Sequence, residues 1–171
     1  MNLFAMCQNH EVMKIRQIIE SDIEAIVELG SRAWMPLHRS IEEAYSSEIY
    51  SVWTQDPDEE QRNAIRTVCT SSDFEVSVAL LDDVIVGFIA TDFSGAPEMA
   101  EVHMIAVDPL SQRQGVAEAL MANAEADAVD RGVKLLMVET GSDPGHAPAR
   151  SLYSRTGFRN VPVARFLKRI S

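Results

Sequence analysis

Apolar positions along the chain change period several times, and each change marks an element. Residues 12–19, VMKIRQII, are dense in branched side chains and predict a strand. Ser21-Asp22-Ile23-Glu24 fits a capping box, with Ser21 as the cap and Glu24 reaching back. Ile23, Ile26, Val27 and Gly30 then recur at helical spacing. Pro36 is expected to break that helix, and a second helix is expected from about Ile41 to Trp53. Asp56-Pro57 opens a third, with Asp as cap, Pro in the first turn and acidic residues behind it, running to about Thr70.

The period then falls to that of strands. FEVSVALL (74–81) and VIVGFIATDF (84–93) flank Asp82-Asp83, a two-residue hairpin signal without the usual glycine. EVHMIAV (101–107) predicts a further strand. From Gly115 to about Asp130 the apolar face of Val116, Leu120, Ala124 and Ala128 predicts a helix that stops at Arg131-Gly132. VKLLMVET (133–140) reads as a buried strand and Ala147 to Thr156 as a short helix. FRNVPV and ARFLKRI are expected to close the chain as strands. The order β-α-α-α-β-β-β-α-β-α-β-β is that of an α/β domain with a mixed sheet. The hairpin partners are antiparallel, and the two strands linked through the 115–130 helix are parallel. The expected organisation is a single domain over 12–171 preceded by a tail at 1–11.

Composition narrows the choice of partners. The 171 residues are 46% hydrophobic, enough for a full core. No stretch approaches the ~20 apolar residues of a membrane helix, and the N-terminal segment lacks the basic n-region of a signal peptide. These features predict a cytoplasmic protein with no membrane contact. The net charge of −11, with Lys and Arg scattered, argues against nucleic acid. The acidic surplus suits a cationic substrate such as an amine, and equally suits simple solubility. Cys7 and Cys69 are far apart and lack metal spacing, and the four histidines form no HxxxH pair, so no metal site is expected.

The stretch VDPLSQRQGVAEAL (107–120) places a glycine and a small residue where a strand hands over to a helix. A helix N-terminus presents unpaired N–H groups and partial positive charge, so it binds phosphate readily. Gly115 permits unusual dihedrals and close approach, Ala117 keeps the entrance open, and Gln112 and Arg113 add donors. By itself this Gln-x-x-Gly-x-Ala turn fits a pyrophosphate cradle and an ordinary strand–turn–helix join equally well. GxGxxG and the P-loop pattern are both absent.

The context of that turn resembles the GNAT superfamily of N-acetyltransferases. Val107-Asp108-Pro109 followed by Gln112-Arg113-Gln114-Gly115-Val116-Ala117 is similar to the family's central motif. Ala149, Tyr153, Gly157 and Phe158 are similar to its following Asn-x-x-Ala-x-x-x-Tyr-x-x-x-Gly-Phe motif. The resemblance is strong over 84–160. It implies a GNAT-like mixed central β-sheet flanked by helices on both faces, acetyl-CoA as donor and an amine as acceptor. It also implies cofactor contacts from residues 112–117, from Ala149, and from backbone groups of Ile105, Ala106 and Val107 freed by a splay or bulge. Tyr153 matches the tyrosine that protonates the departing sulfur. The family's asparagine, which helps to hold the cofactor or order the loop, falls on His146, so the resemblance implies a cofactor contact from His146 as well, a departure from the motif set in the long loop 141–148.

A protonated amine cannot attack, so a general base is needed. Glu101 stands where some members of the family carry a catalytic glutamate. His103, two residues on, faces the same side of a strand, and its ordinary pKa near about 6.5 suits a base. Trp34, His38, Tyr45, Tyr50 and Trp53 either wall an acceptor pocket or pack on the sheet. Asp92 and Glu98 are candidate amine anchors. The expected activity is acetylation of a primary amine on a small molecule. The alternatives are acetylation of a protein N-terminus or lysine, a non-catalytic acyl-CoA-binding module, and an unrelated nucleotide binder. Pairing of exposed C-terminal strands would make a homodimer.

Overall fold

The computed structural model describes residues 13–170. The tail at 1–11, with Cys7, lies outside the described residues. Its elements are β1 (Lys14–Gln17), α1 (Ile23–Tyr45), α2 (Ser47–Trp53), α3 (Pro57–Thr70), β2 (Phe74–Leu81), β3 (Val84–Asp92), β4 (Met99–Val107), α4 (Val116–Asp130), β5 (Leu135–Val138) and α5 (Ala147–Arg155). The five strands form one sheet in the order β1-β2-β3-β4-β5. The first three pairings are antiparallel, and β4–β5, linked through α4, is parallel. The mixed sheet with helices on both faces is the fold that the resemblance implies.

Strand alternation sends side chains to two cores. Val76, Val78, Phe88, Ala90 and Ala106 meet Ile26, Val27 and Leu29 of α1 and Ile65 and Val68 of α3. On the other face, Ala79, Ile89, Val102 and Val107 meet Val116, Leu120, Met121 and Ala124 of α4 and Leu152 of α5. Gly87 lets α4 approach the sheet. A Cβ there would lie 3.0 Å from Val116 Cγ1 and 3.1 Å from Leu120 Cδ1.

Several expectations change. Pro36 does not break α1, which runs unbroken through it. Proline removes the N–H that would bond the carbonyl of residue 32, but Arg32 and Pro36 both lie on the exposed face, where water can serve that carbonyl. The helix expected over 41–53 is divided at Ser46, whose φ of 67° ends α1 and starts α2. Ser21 is not the cap. Asp22 accepts from the Ile19 N–H at 2.9 Å and holds Arg16 at 2.6 and 3.1 Å. The Asp82-Asp83 hairpin is confirmed, with both residues at positive φ, as a type I′ turn requires. The strand expected over 133–140 shortens to Leu135–Val138 and lies at the sheet edge among the described residues, with Leu135 57% exposed. The expected C-terminal strands are absent, and residues 159–170 run exposed with no strand pairing.

Candidate functional site

The central strand opens on one side. β4 pairs with β5 only from Met99 to Val102, whereas its pairing with β3 continues to Val107. Residues 103–107 therefore have no strand neighbour beyond β5 among the described residues, and the backbone groups on that edge are left for another partner. On the β3 side the register slips at the same point: Thr91 faces Val102 and Ala90 faces Met104, so His103 is the extra residue of a β-bulge. The backbone of Ile105, Ala106 and Val107 thus borders a wedge between β4 and the chain leaving β5.

At the end of β4 the chain makes a short 3-10 turn, Pro109–Ser111, and enters α4. Gly115 caps the helix in the left-handed region at φ 81°, with Arg113 at φ 63° just before it. A Cβ at Gly115 would meet nothing within 4 Å, so the space over the helix start is open. The first helical bond there is from Ala119 N to Gly115 O at 3.0 Å. The N–H groups of Val116, Ala117 and Glu118 precede it and point into that space. Gln112 Nε2 reaches back to Val107 O at 3.3 Å and Gln114 Nε2 to Leu110 O at 3.4 Å, so these side chains brace the turn. Arg155 of α5 binds Glu118 at 2.7 Å and so offsets the carboxylate in the first turn of the helix.

Helix α1 spans the open wedge from one rim to the other. Arg32 binds Asp108 at the end of β4 at 2.5 Å. Two turns on, Ser40 donates to Asp143 Oδ1 at 2.6 Å and accepts from Gly145 N at 2.8 Å, which fixes the loop after β5. Arg150 of α5 donates to the carbonyls of Gly141 and Asp143 at 2.5 and 2.9 Å. His146 Nδ1 lies 2.5 Å from Asp143 Oδ2. Burial pushes the Asp143 carboxyl up, but the hydrogen bonds of Ser40 and His146 hold it below its ordinary value.

Between this loop and α1, α2 and α3 lies a cavity of about 460 Å³. Its wall includes His38 and Tyr45 of α1, Tyr50 and Trp53 of α2, Glu60 of α3, and His146. Tyr45 and Trp53 stack across the Ser46 break at 5.5 Å. The Tyr50 hydroxyl and His38 Nδ1 are 3.3 Å apart. Burial lowers the His38 pKa against the raising fields of Asp58 and Glu60. From the C-terminal segment, Arg165 reaches over Trp53 at 5.6 Å and completes the wall.

The other expected site residues are scattered. His38 and His146 share this cavity. Tyr153, seven residues beyond His146 and so about two helical turns away, packs against Phe158 in the α4–α5 core. Burial pushes its phenol up to about 12, so it stays protonated at neutral pH. Glu101 and Asp92 sit near the start of β4, with His103 at its bulge. Glu101 faces Asp92 in register, His103 rests on Phe74 at 5.0 Å, and Asp92 accepts from Ser94. None of these three lines the cavity. Trp34 is packed into the sheet core against Phe88 at 6.1 Å, and Glu98 pairs with Lys134.

Sequence reasoning missed Ser40, Asp143 and Glu60. Asp143-Pro144 carried the signal of a cap before proline, and Asp143 does accept from Gly145 N at 3.0 Å. Nothing in the sequence joined it to Ser40, 103 residues away. Among the described residues no group of His, Cys, Asp and Glu could hold a metal ion. No described helix is long and apolar enough to cross a membrane.

A model of the acetyltransferase (GNAT) family matches residues 37–158. Three solved structures show the same fold. One is the aminoglycoside N-acetyltransferase AAC(6')-Iy in complex with CoA, at TM-score 0.65 and 18% identity over 94% of this chain and 96% of that one. The second is the PaiA N-acetyltransferase of Thermoplasma acidophilum in complex with coenzyme A, at TM-score 0.66 and 21% identity over 86% of this chain and 90% of that one. The third is the ribosomal-protein-S18-alanine N-acetyltransferase of Escherichia coli, at TM-score 0.63 and 20% identity over 88% and 80%. No curated protein sequence matches the chain.

Proposed function

Because the chain belongs to the acetyltransferase (GNAT) family, we propose that it transfers an acetyl group from acetyl-CoA to the primary amine of a small molecule. The observation that carries the small-molecule acceptor is the cavity of about 460 Å³ beside the wedge. That size falls within the range of small-ligand sites. Its wall of Tyr45 and Tyr50, with the Glu60 carboxylate offsetting the Arg165 guanidinium over Trp53, suits an amine.

The residues present fit the donor. The open space over Gly115 would admit a pyrophosphate, and the N–H groups of Val116, Ala117 and Glu118 would hold it, with Gln112, Arg113 and Gln114 around the entrance. The free edge of Ile105, Ala106 and Val107 would hold the pantetheine arm by backbone hydrogen bonds, beside Ala149 at the start of α5. Bound there, acetyl-CoA supplies the activated acetyl thioester. Val107 N–H or its neighbours would donate to the thioester oxygen as charge develops on it. The Tyr153 phenol, protonated at neutral pH, is the acid for the sulfur. Glu101 and His103 remain candidates for the base through a water chain, since neither reaches the cavity directly.

A cytoplasmic location accords with this donor. We also infer a homodimer. Val161, Val163, Phe166 and Ile170 are 73%, 81%, 91% and 85% exposed, and β5 has no outer neighbour among the described residues, an edge that such a segment of a second copy could cover. Protein acetylation is the second reading, which a groove open at both ends would favour. Calorimetry with acetyl-CoA beside plain coenzyme A tests the donor. Amine-dependent thiol release, measured with neamine, spermidine and a peptide beginning with alanine, then tests the acceptor. Micromolar binding of acetyl-CoA is expected, and no binding would end the enzymatic reading.

A further inference from the structure

We propose that His146 is the residue that takes the proton from the incoming amine, and that Asp143 positions it. The inference rests on the acetyltransferase reading above and gives His146 an acceptor-side role in place of the cofactor contact implied by its place in the motif.

The geometry makes a fixed acid–imidazole pair. Asp143 Oδ2 lies 2.5 Å from Nδ1 of His146, while Oδ1 is taken by Ser40 Oγ at 2.6 Å and Gly145 N at 3.0 Å. The Asp143 side chain is 6% exposed, and that of His146 is 17% exposed. With both carboxylate oxygens engaged by donors, Asp143 is set to accept from the imidazole, which places the hydrogen of neutral His146 on Nδ1. Gly141 packs against the Nδ1–Cε1 edge: a Cβ there would lie 2.7 Å from Nδ1 and 3.0 Å from Cε1. The other nitrogen, Nε2, has no hydrogen-bond partner among the described residues, and His146 lines the cavity. Its lone pair is therefore available to an amine held there.

The other candidates lack this arrangement. His103, at the bulge of β4, and Glu101, two residues before it, do not line the cavity. His38 lies inside it, but its Nδ1 faces the Tyr50 hydroxyl at 3.3 Å, and no carboxylate is hydrogen-bonded to its ring. A carboxylate partner matters because it orients the ring and stabilises the imidazolium once the proton arrives. His146 caps the helix that carries Tyr153, about two turns further on.

In the transfer, Nε2 takes one proton from the acceptor's ammonium group. The freed nitrogen lone pair forms the C–N bond to the acetyl carbon as the C–S bond breaks. The sulfur takes its proton from the Tyr153 hydroxyl, which is replenished from solvent. The nitrogen loses a second proton to water, and His146 releases its own, so one proton leaves per turnover.

The test uses the full chain with His146→Ala and Asp143→Asn. Wild type and variants are compared by acetyl-CoA calorimetry, by thiol release with neamine, spermidine and the alanyl peptide, and by nitrogen-15 NMR of the imidazole in the free protein. His146→Ala is expected to bind acetyl-CoA within about twofold of wild type while amine-dependent release falls about 100-fold or more. Added imidazole should restore part of that loss, which a merely structural role would not allow. Wild-type neutral His146 should show hydrogen on Nδ1, and Asp143→Asn should shift it towards Nε2. Release within threefold of wild type in His146→Ala, or hydrogen on Nε2 in the wild type, would overturn the assignment. If none of the three amines reacts, the NMR tautomer decides alone. Failure of wild type to bind acetyl-CoA would instead remove the acetyltransferase reading.

Discussion

Replacing Gly145 by alanine probes the docking of the loop after β5 onto α1, on which the cavity depends. Gly145 is not at positive φ, so alanine is not excluded by the backbone. Space is the obstacle. The added Cβ would lie 2.7 Å from Ser40 Cβ, 2.8 Å from Ser40 Oγ and 3.0 Å from Leu37 Cδ2. Ser40 Cβ is attached directly to the helix backbone and cannot swing away, so either the loop or α1 must shift. Overpacking of this kind costs about 1–3 kcal/mol. Alanine also narrows the unfolded ensemble and returns about 0.4–1 kcal/mol. Gly95→Ala is the matching control, because nothing lies within 4 Å of its added Cβ and its φ is not positive. The unfolded-state gain is common to both, so the difference between the variants isolates the clash. At about 2–4 °C per kcal/mol for a chain of this size, Gly145→Ala should melt roughly 2–12 °C below Gly95→Ala. Thermal and urea unfolding measure that difference, and amide exchange at Gly145 should accelerate as its bonds to Ser40 and Asp143 loosen. Two variants within about 0.5 kcal/mol of each other, well below the overpacking range, would refute close docking of the loop on α1.

Four further outcomes are expected. Tyr153→Phe should lower turnover about 100-fold with acetyl-CoA affinity nearly unchanged, and unchanged turnover in stopped thiol-release assays would remove Tyr153 as the acid. Gly115→Val forces a branched residue to φ 81°, at a cost of about 1–3 kcal/mol, and should weaken acetyl-CoA binding in calorimetry; equal affinity would sink the cradle. The Arg16 hydrogen bond holds the Asp22 carboxyl below its ordinary 3.8, so its stabilisation is complete above that pH and is lost as pH falls through the lower folded value. Urea titrations should show the gap between wild type and Asp22→Asn closing below about pH 4, and a constant gap would contradict the pairing. Deleting residues 159–171 should convert a dimer to a monomer in light scattering, whereas a monomeric full chain would rule the dimer out.

The sequence by itself determined much of the frame. Strand alternation from Phe74 to Val107 and the helical face of Val116, Leu120, Ala124 and Ala128 depend on neighbours a few residues away, so the local pattern carries them. The left-handed caps at Gly115 and Gly157, at φ 81° and 93°, were legible for the same reason: a residue without Cβ marks a conformation that others avoid. Pro36 and the C-terminal strands were misread because their outcome depends on what lies beside them. A proline on the exposed side of a long helix leaves its orphan carbonyl to water, and a segment with strand-like composition forms no strand unless the rest of the fold lays it alongside an edge.

The candidate site divides along the same line. The cradle lies within one contiguous stretch and could be read residue by residue. The cavity could not. It joins α1, α2, α3 and the loop after β5, and the contact that closes it, Ser40 with Asp143 and Gly145, spans more than a hundred residues of chain. His146 was placed by its motif among the cofactor residues. Its contact with Asp143 is local, three residues back, but its place in the cavity wall depends on the docking of that loop on Ser40, a partner chosen by the packing of α1 across the wedge. Sequence spacing fixes direction along a strand or helix, while distance between elements is set by the cores that hold them.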